Sequence, residues 1–159
     1  HIGVRPEHGI SALNRFSGVK RRLEKLADHH GIVVYDDFAH HPTAIQSTLE
    51  GLRHQVGKDT IWAVIEPRSN TMKMGVHQQS LLQSAEAADR VLWANFQRYP
   101  WLDEAVSNAQ GTHQIYHELA SLERQLDEAE KPTHIVLMSN GGFQGLPQRM
   151  QEKLQQPKA

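Results

Sequence analysis

Residues 32–43 read Ile32-Val33-Val34-Tyr35-Asp36-Asp37-Phe38-Ala39-His40-His41-Pro42-Thr43. The run from Ile32 to Tyr35 is β-branched and aromatic, which favours a buried strand. Pro42 fits the first turn of a helix, where its missing N–H costs nothing. Ile45, Leu49, Leu52 and Val56 then keep a helical period up to Gly57. Strand, polar turn and helix in that order form the unit from which parallel sheets are built.

The pattern continues outward. Thr60–Ile65 is an apolar strand ended by Pro67, and the spacing predicts a helix over Val76–Ala88. Arg90–Ala94 is another strand, followed by a stretch from Phe96 to Val106 that reads as irregular. Leu119, Leu122 and Leu126 mark a helix, His134–Met138 is the last clear strand, and a helix from Pro147 closes the chain. Upstream, residues 6–16 read as a short helix broken by Ser17-Gly18. Val19–Leu26 and Gly31–Tyr35 read as a hairpin around the turn Asp28-His29-His30-Gly31. Continuous apolar strands each followed by a helix imply an α/β fold, a mostly parallel sheet covered on both faces.

Composition narrows the function classes. With 159 residues, one main domain is expected. There is no cysteine, which excludes a disulfide scaffold, a thiolate zinc site, an iron–sulfur cluster and a cysteine nucleophile. Lys and Arg total 17 against 18 Asp and Glu, a net charge of −1, so no basic field draws nucleic acid or anionic lipid. No apolar run approaches a membrane span, and the first residues lack the apolar core of a signal peptide. The chain starts without Met and is expected to be part of something longer.

In parallel α/β sheets, ligands sit beyond the carboxyl ends of the strands. That rule selects three loops. Asp36–His41 places two carboxylates and two imidazoles at a strand end and a helix start, suited to ribose hydroxyls, hydrated Mg²⁺ or phosphate. The same residues also suit an ordinary capped, solvated loop. Glu66–Gly75 carries Arg68 and Lys73, able to grip a carboxylate or phosphate, with Ser69, Asn70 and Thr71 as donors or simply as helix caps. Ser139–Gly145 is glycine-rich, which permits close backbone approach to a ligand or merely a tight turn. The basic run Lys20-Arg21-Arg22 with Lys25 is either a solvated strand face or a reach toward a phosphate.

The absences are informative. There is no G-x-x-x-x-G-K-[ST], no H-E-x-x-H and no G-x-S-x-G. Any ATP phosphates must therefore be cradled by another domain. Asp28-His29-His30 spells a tripeptide of metal phosphoesterases. That alternative would use Asp28, His29, Asp36, Asp37, His40 and His41. A flavodoxin-like binding module with no catalytic role is a further alternative.

Taken together, Phe16–Glu24, Asp36–Thr43, Glu66–Gly75 and Met138–Phe143 resemble the C-terminal domain of the Mur ligase family, ATP-dependent amide-bond-forming enzymes of bacterial peptidoglycan metabolism. Ala39, the Arg68-Ser69-Asn70 loop and Ser139-Asn140-Gly141-Gly142 are most similar to the murein-peptide ligases, and less so to the L-alanine-adding ligases, the alternative within the family. The resemblance implies a Rossmann-like, mostly parallel sheet entered by an antiparallel hairpin over residues 18–159, with residues 1–17 as the tail of a central ATP-binding domain. It implies ATP and Mg²⁺ as cofactors, with the Mg²⁺ ligands and the P-loop in that central domain and no metal ligand in this chain. It implies that Arg22, Asp37 and His40 meet ATP, and that Arg68, Ser69, Asn70, Thr71, Ser139 and Asn140 face the peptide. The implied substrates are UDP-N-acetylmuramate and L-alanyl-γ-D-glutamyl-meso-diaminopimelate, joined through an acyl phosphate in peptidoglycan recycling. The implied setting is cytoplasmic, with no nucleic-acid or membrane partner, and the domain alone is expected to be inactive.

Overall fold

A computed structural model describes residues 21–68, 78–109 and 111–155. The expected helix over 6–16, the domain boundary at 17/18 and residues 69–77 lie outside them. The strands are β1 (Glu24–His29), β2 (Ile32–Asp37), β3 (Thr60–Ile65), β4 (Arg90–Ala94), β5 (His113–Tyr116) and β6 (Thr133–Met138). They form one sheet in the order β1-β2-β6-β3-β4-β5. β1 pairs antiparallel with β2, and all the other pairings are parallel. The expected α/β class and the antiparallel way into a parallel sheet are what the structure has.

The helices are α1 (Pro42–Val56), α2 (Gln78–Gln83), α3 (Pro100–Asn108), α4 (Leu119–Asp127) and α5 (Leu146–Gln155). Their placement follows from the handedness of crossovers. From β2 through β3 and β4 to β5 the chain steps one way across the sheet. Right-handed connections then put α1, α2 and α3 on one face. From β5 it steps back to β6, so α4 takes the other face, and α5 follows it there. Each layer has its own core. Ile45, Leu49, Leu52, Leu81, Leu102 and Val106 pack on Ile61, Ala63, Trp93 and Val136. Leu122, Leu126, Leu146 and Met150 pack on Val34, Val64, Leu92, Ile135 and Leu137. Alternate residues of one strand thus serve opposite layers, and the central strands are apolar throughout. No helix among the described residues is long and apolar enough to cross a membrane.

Four sequence expectations need correction. The hairpin turn is only His30-Gly31, with φ of 50° and 83°, so Asp28 and His29 belong to β1. Two positive φ angles match the twist of the flanking strands, as in two-residue hairpins generally. A bulge between Lys25 and Ala27 shifts the register before that turn. The helix expected to run to Ala88 ends at Gln83. The Ser84 hydroxyl donates to the Leu81 carbonyl at 2.6 Å, and the next N–H groups reach back only three residues. The stretch read as irregular from Phe96 to Val106 contains α3, with Pro100 in its first turn and Leu102 and Val106 buried one turn apart. The edge strand β5 went unread because it is short and half-buried along its length.

Gly31 has a backbone that L side chains rarely adopt, and open space for only a small one. Gly31→Ala is expected to lower stability by about 1 kcal/mol, measured by urea unfolding. Gly31→Asn is expected to lose less, because Asn tolerates that conformation.

Candidate functional site

Strands β2, β6 and β3 are neighbours and end in register, with Asp37 paired to Met138 and Ile65 paired to Met138. The three loops singled out from sequence therefore leave the sheet side by side. Asp37, Ser139 and Glu66 stand at the same edge on adjacent strands.

Asp37 is buried, and both of its carboxylate oxygens are engaged. Oδ2 accepts the Leu23 N–H at 2.6 Å, and Oδ1 accepts the Ala39 N–H at 2.7 Å. The Phe38 N–H donates to the Arg21 carbonyl at 2.8 Å. The segment before β1 is thereby tied to the loop after β2. Each carboxylate oxygen retains a further acceptor direction. Arg21 and Leu23 have φ of 58° and 46°, left-handed values on non-glycine residues that bracket Arg22. The Arg21 N–H donates to Glu24 at 2.9 Å, and Asp37 holds the N–H of Leu23, which secures that bend. Arg22 is left exposed at its crest.

Arg22, Asp37 and His40 line one open cavity of ≈ 230 Å³, together with Phe38, Ala39 and the first turns of α1 at Ala44, Ser47 and Thr48. The structure thus brings together the three residues expected at ATP. The His40 Nδ1 lies 2.9 Å from the Phe38 carbonyl. A carbonyl only accepts, so Nδ1 carries the proton and Nε2 is left for other partners. Phe38 stacks edge to face on His40 and is 44% exposed, the one large apolar side chain left in solvent among the described residues. The start of α1 has no side-chain cap and no acidic residue in its first turn. Its free N–H groups and dipole favour an anion there. A cation, an uncapped helix start, a hydroxyl-accepting carboxylate and an exposed ring fit a phosphorylated nucleoside.

Arg21 is the residue that sequence reasoning missed. Its guanidinium donates to Asp36 at 3.1 Å, to the Ser139 carbonyl at 2.5 Å and to the Gly141 carbonyl at 2.8 Å. It also lies 5.1 Å from the centre of the Phe38 ring. One side chain thus joins the segment before β1, the end of β2 and the loop after β6. Burial pushes the Asp36 carboxyl above its ordinary range, and the adjacent Arg21 charge and hydrogen bond offset part of that rise. Nothing in the basic run distinguishes Arg21 from Arg22 by type; only the bend does.

On the β3 side, Glu66 is 2% exposed and accepts the Ser139 hydroxyl at 2.6 Å. Ser139 Oγ in turn accepts the Gly141 N–H at 3.0 Å. Arg68 lies 3.6 Å from Glu66 and is pressed on Gly141, where an added Cβ would meet the guanidinium at 2.8 Å. Ser139 is therefore buried and committed to Glu66, while Arg68 is exposed and Asn140 half-buried beside it. Ser69, Asn70 and Thr71 lie outside the described residues. The phosphoesterase alternative fails on geometry. Asp28 and His29 sit at the opposite end of the hairpin from Asp36, Asp37 and His40, a strand length of roughly 17 Å away. No group of three or more His, Asp or Glu among the described residues is placed to hold a metal ion.

The family model "Mur ligase, glutamate ligase domain" matches residues 21–141. The chain is 42% identical over 157 residues to the UDP-N-acetylmuramate–L-alanyl-γ-D-glutamyl-meso-2,6-diaminoheptandioate ligase of Escherichia coli K12, covering 97% of this chain and 34% of that protein. Its similarity to the UDP-N-acetylmuramate–L-alanine ligase of Desulfitobacterium hafniense is lower, 35% over 155 residues, covering 89% of this chain and 34% of that protein. Among solved structures it resembles a murein peptide ligase from Psychrobacter arcticus, with 42% identity and a TM-score of 0.77, over 99% of this chain and 35% of that one. The chain spans about a third of the length of the curated relatives it matches.

Arg21→Ala would strand the Asp36 carboxylate and free two carbonyls, so a loss of about 2–3 kcal/mol is expected at pH 7. With the cation gone, the folded carboxyl holds its proton more tightly than the unfolded one. Folding then takes up protons, and stability falls as pH rises. The deficit is expected to shrink as pH is lowered through the carboxylate range, measured by urea unfolding between pH 7 and pH 4.

Proposed function

The chain belongs to the Mur ligase family, and from that premise we propose that it is the closing domain of an ATP-dependent ligase joining L-alanyl-γ-D-glutamyl-meso-diaminopimelate to UDP-N-acetylmuramate. The observation that carries the reading is the meeting of Arg22, Asp37 and His40 around one cavity at the start of α1. The greater similarity to the tripeptide-adding ligases than to an L-alanine-adding one supports the choice of acceptor.

Arg22 pairs with the terminal phosphate of ATP, the remaining acceptor directions of Asp37 take ribose hydroxyls, and His40 lies against the nucleoside. When bound, ATP would pass its γ-phosphoryl group to the muramate carboxylate and leave as ADP, and the peptide amine would then attack the acyl carbon of that acyl phosphate and expel inorganic phosphate. Arg68, Ser69, Asn70, Thr71 and Asn140 face the peptide. Ser139 acts at one remove, by fixing Glu66 and the glycine loop on which Arg68 rests. The P-loop and the Mg²⁺ ligands belong to a preceding domain. UDP-linked and ATP substrates place the reaction in the cytoplasm.

The test is ADP release by the full-length parent enzyme with ATP, UDP-N-acetylmuramate and either the tripeptide or L-alanine. Turnover with the tripeptide and none with L-alanine is expected. Turnover with L-alanine alone would reassign the acceptor, and turnover with neither would overturn the reading. The 159-residue chain alone is expected to release no ADP above a boiled control. In the full-length enzyme, Arg22→Ala is expected to lower kcat/KM for ATP at least tenfold, about 1.4 kcal/mol. Its urea midpoint should not move, because Arg22 is exposed.

A further inference from the structure

At the amino end of the parallel strands, a strand length from the nucleotide cavity, the hairpin turn, α4, the 128–132 connection and α5 enclose a second cavity of ≈ 420 Å³. Ligand cavities commonly have this size, an apolar lining and a few convergent polar groups. Its floor is apolar, built by Ile32, Leu126, Met150 and Leu154. Its rim is nitrogen-rich, with His29, His30, Lys131 and Lys153.

The charges on that rim do not cancel. Asp127 is the carboxylate of the lining, and Lys153 takes it. Asp28, next in sequence, is taken by Lys25 at 2.5 Å. Among the described residues, Lys131 has no acidic partner, and the ring nitrogens of His29 and His30 have no hydrogen-bond partner. The two imidazoles meet edge to face at 4.1 Å. His29 ends β1 and His30 opens the two-residue turn, and the stem of Lys131 lies over Gly31, where an added Cβ would stand 3.5 Å away. Three nitrogen groups without an acidic or hydrogen-bonding partner among the described residues are therefore gathered above an apolar floor. The ligase reading uses none of them, and they absorb the Asp28-His29-His30 tripeptide that the sequence made conspicuous.

We propose that this cavity binds an organic anion with an apolar body, its carboxylate or phosphate monoester held by Lys131 and the two imidazoles while its chain covers the floor. Apolar contact supplies affinity and the cation fixes orientation. The site is independent of the nucleotide reading, and neither stands on the other.

Calorimetric titration of the 159-residue chain tests it, using octyl phosphate and octanoate below their micelle concentrations and octanol as the neutral counterpart. One anion per chain is expected to bind, and the tighter of the two identifies the head group. Octanol should bind at least tenfold more weakly. Lys131→Glu should weaken the anion at least tenfold, and Ala129→Trp, which fills the cavity, should abolish binding. Lys131 is exposed, so its variant folds and carries the test even where Ala129→Trp does not. Absence of saturable binding by both anions would overturn the proposal. So would octanol binding as tightly as they do, or unchanged affinity in Lys131→Glu.

Discussion

The pairing of β6 between β2 and β3 is the constraint on which the rest of the structure depends. It is the last strand in sequence and lies at the interior of the sheet, paired in parallel on both sides. Closing those pairings carries the chain back across β4 and β3 through α4, so the contact is long-range and entropically expensive to form. Once formed, it does two things. It buries Ile135, Val136, Leu137 and Met138 completely, against both helical layers. It also sets Ser139 and Gly141 between the ends of β2 and β3, where Arg21 and Glu66 reach them.

The electrostatics of the sheet edge follow from that placement. Asp36, Asp37 and Glu66 are all buried within a few strand spacings of one another. Carboxylates in such surroundings must be hydrogen-bonded or paired. The structure meets the requirement in three ways: a guanidinium for Asp36, two backbone N–H groups for Asp37, and the Ser139 hydroxyl with nearby Arg68 for Glu66. Among the described residues, no buried side-chain polar atom is left without a partner. The buried groups of the edge thus hold one another, and the exposed Arg22, Phe38 and Arg68 are carried on them.

The two ends of the sheet are built differently. At the carboxyl end the polar groups are interlocked across β2, β6 and β3. At the amino end the hairpin turn and the connection before β6 leave imidazoles and an ammonium beside apolar floor residues. Arg53 performs the linking role on the side of α1, donating to Asp89 and to the Asp59 and Ala87 carbonyls and so tying the helix end to the starts of β3 and β4. The far edge is tied by Trp93, whose indole N–H donates to His113 on β5 at 3.0 Å.

The alternation of apolar strands with helices made the parallel sheet legible, because buried strands must be apolar on both sides and helices must show a one-sided stripe. The carboxyl-end rule then selected three loops from sequence that the sheet does bring side by side, since polar residues accumulate where the strands end. Asp37 and His40 were legible as residue types at such an edge, and Arg22 only through the family resemblance. Only the tertiary structure separated Arg21 from Arg22. Two identical side chains next to each other differ here through a left-handed bend, which turns one into the loops and the other into solvent. Only the tertiary structure moved Ser139 from a surface donor to a buried brace on Glu66, because its partner lies just past the end of β3, 73 residues away in sequence. The hairpin register, the short α2 and the edge strand β5 were also decided there. Local propensity is weak over a few residues, and a turn geometry, a serine back-bond or a cross-strand hydrogen bond is enough to override it.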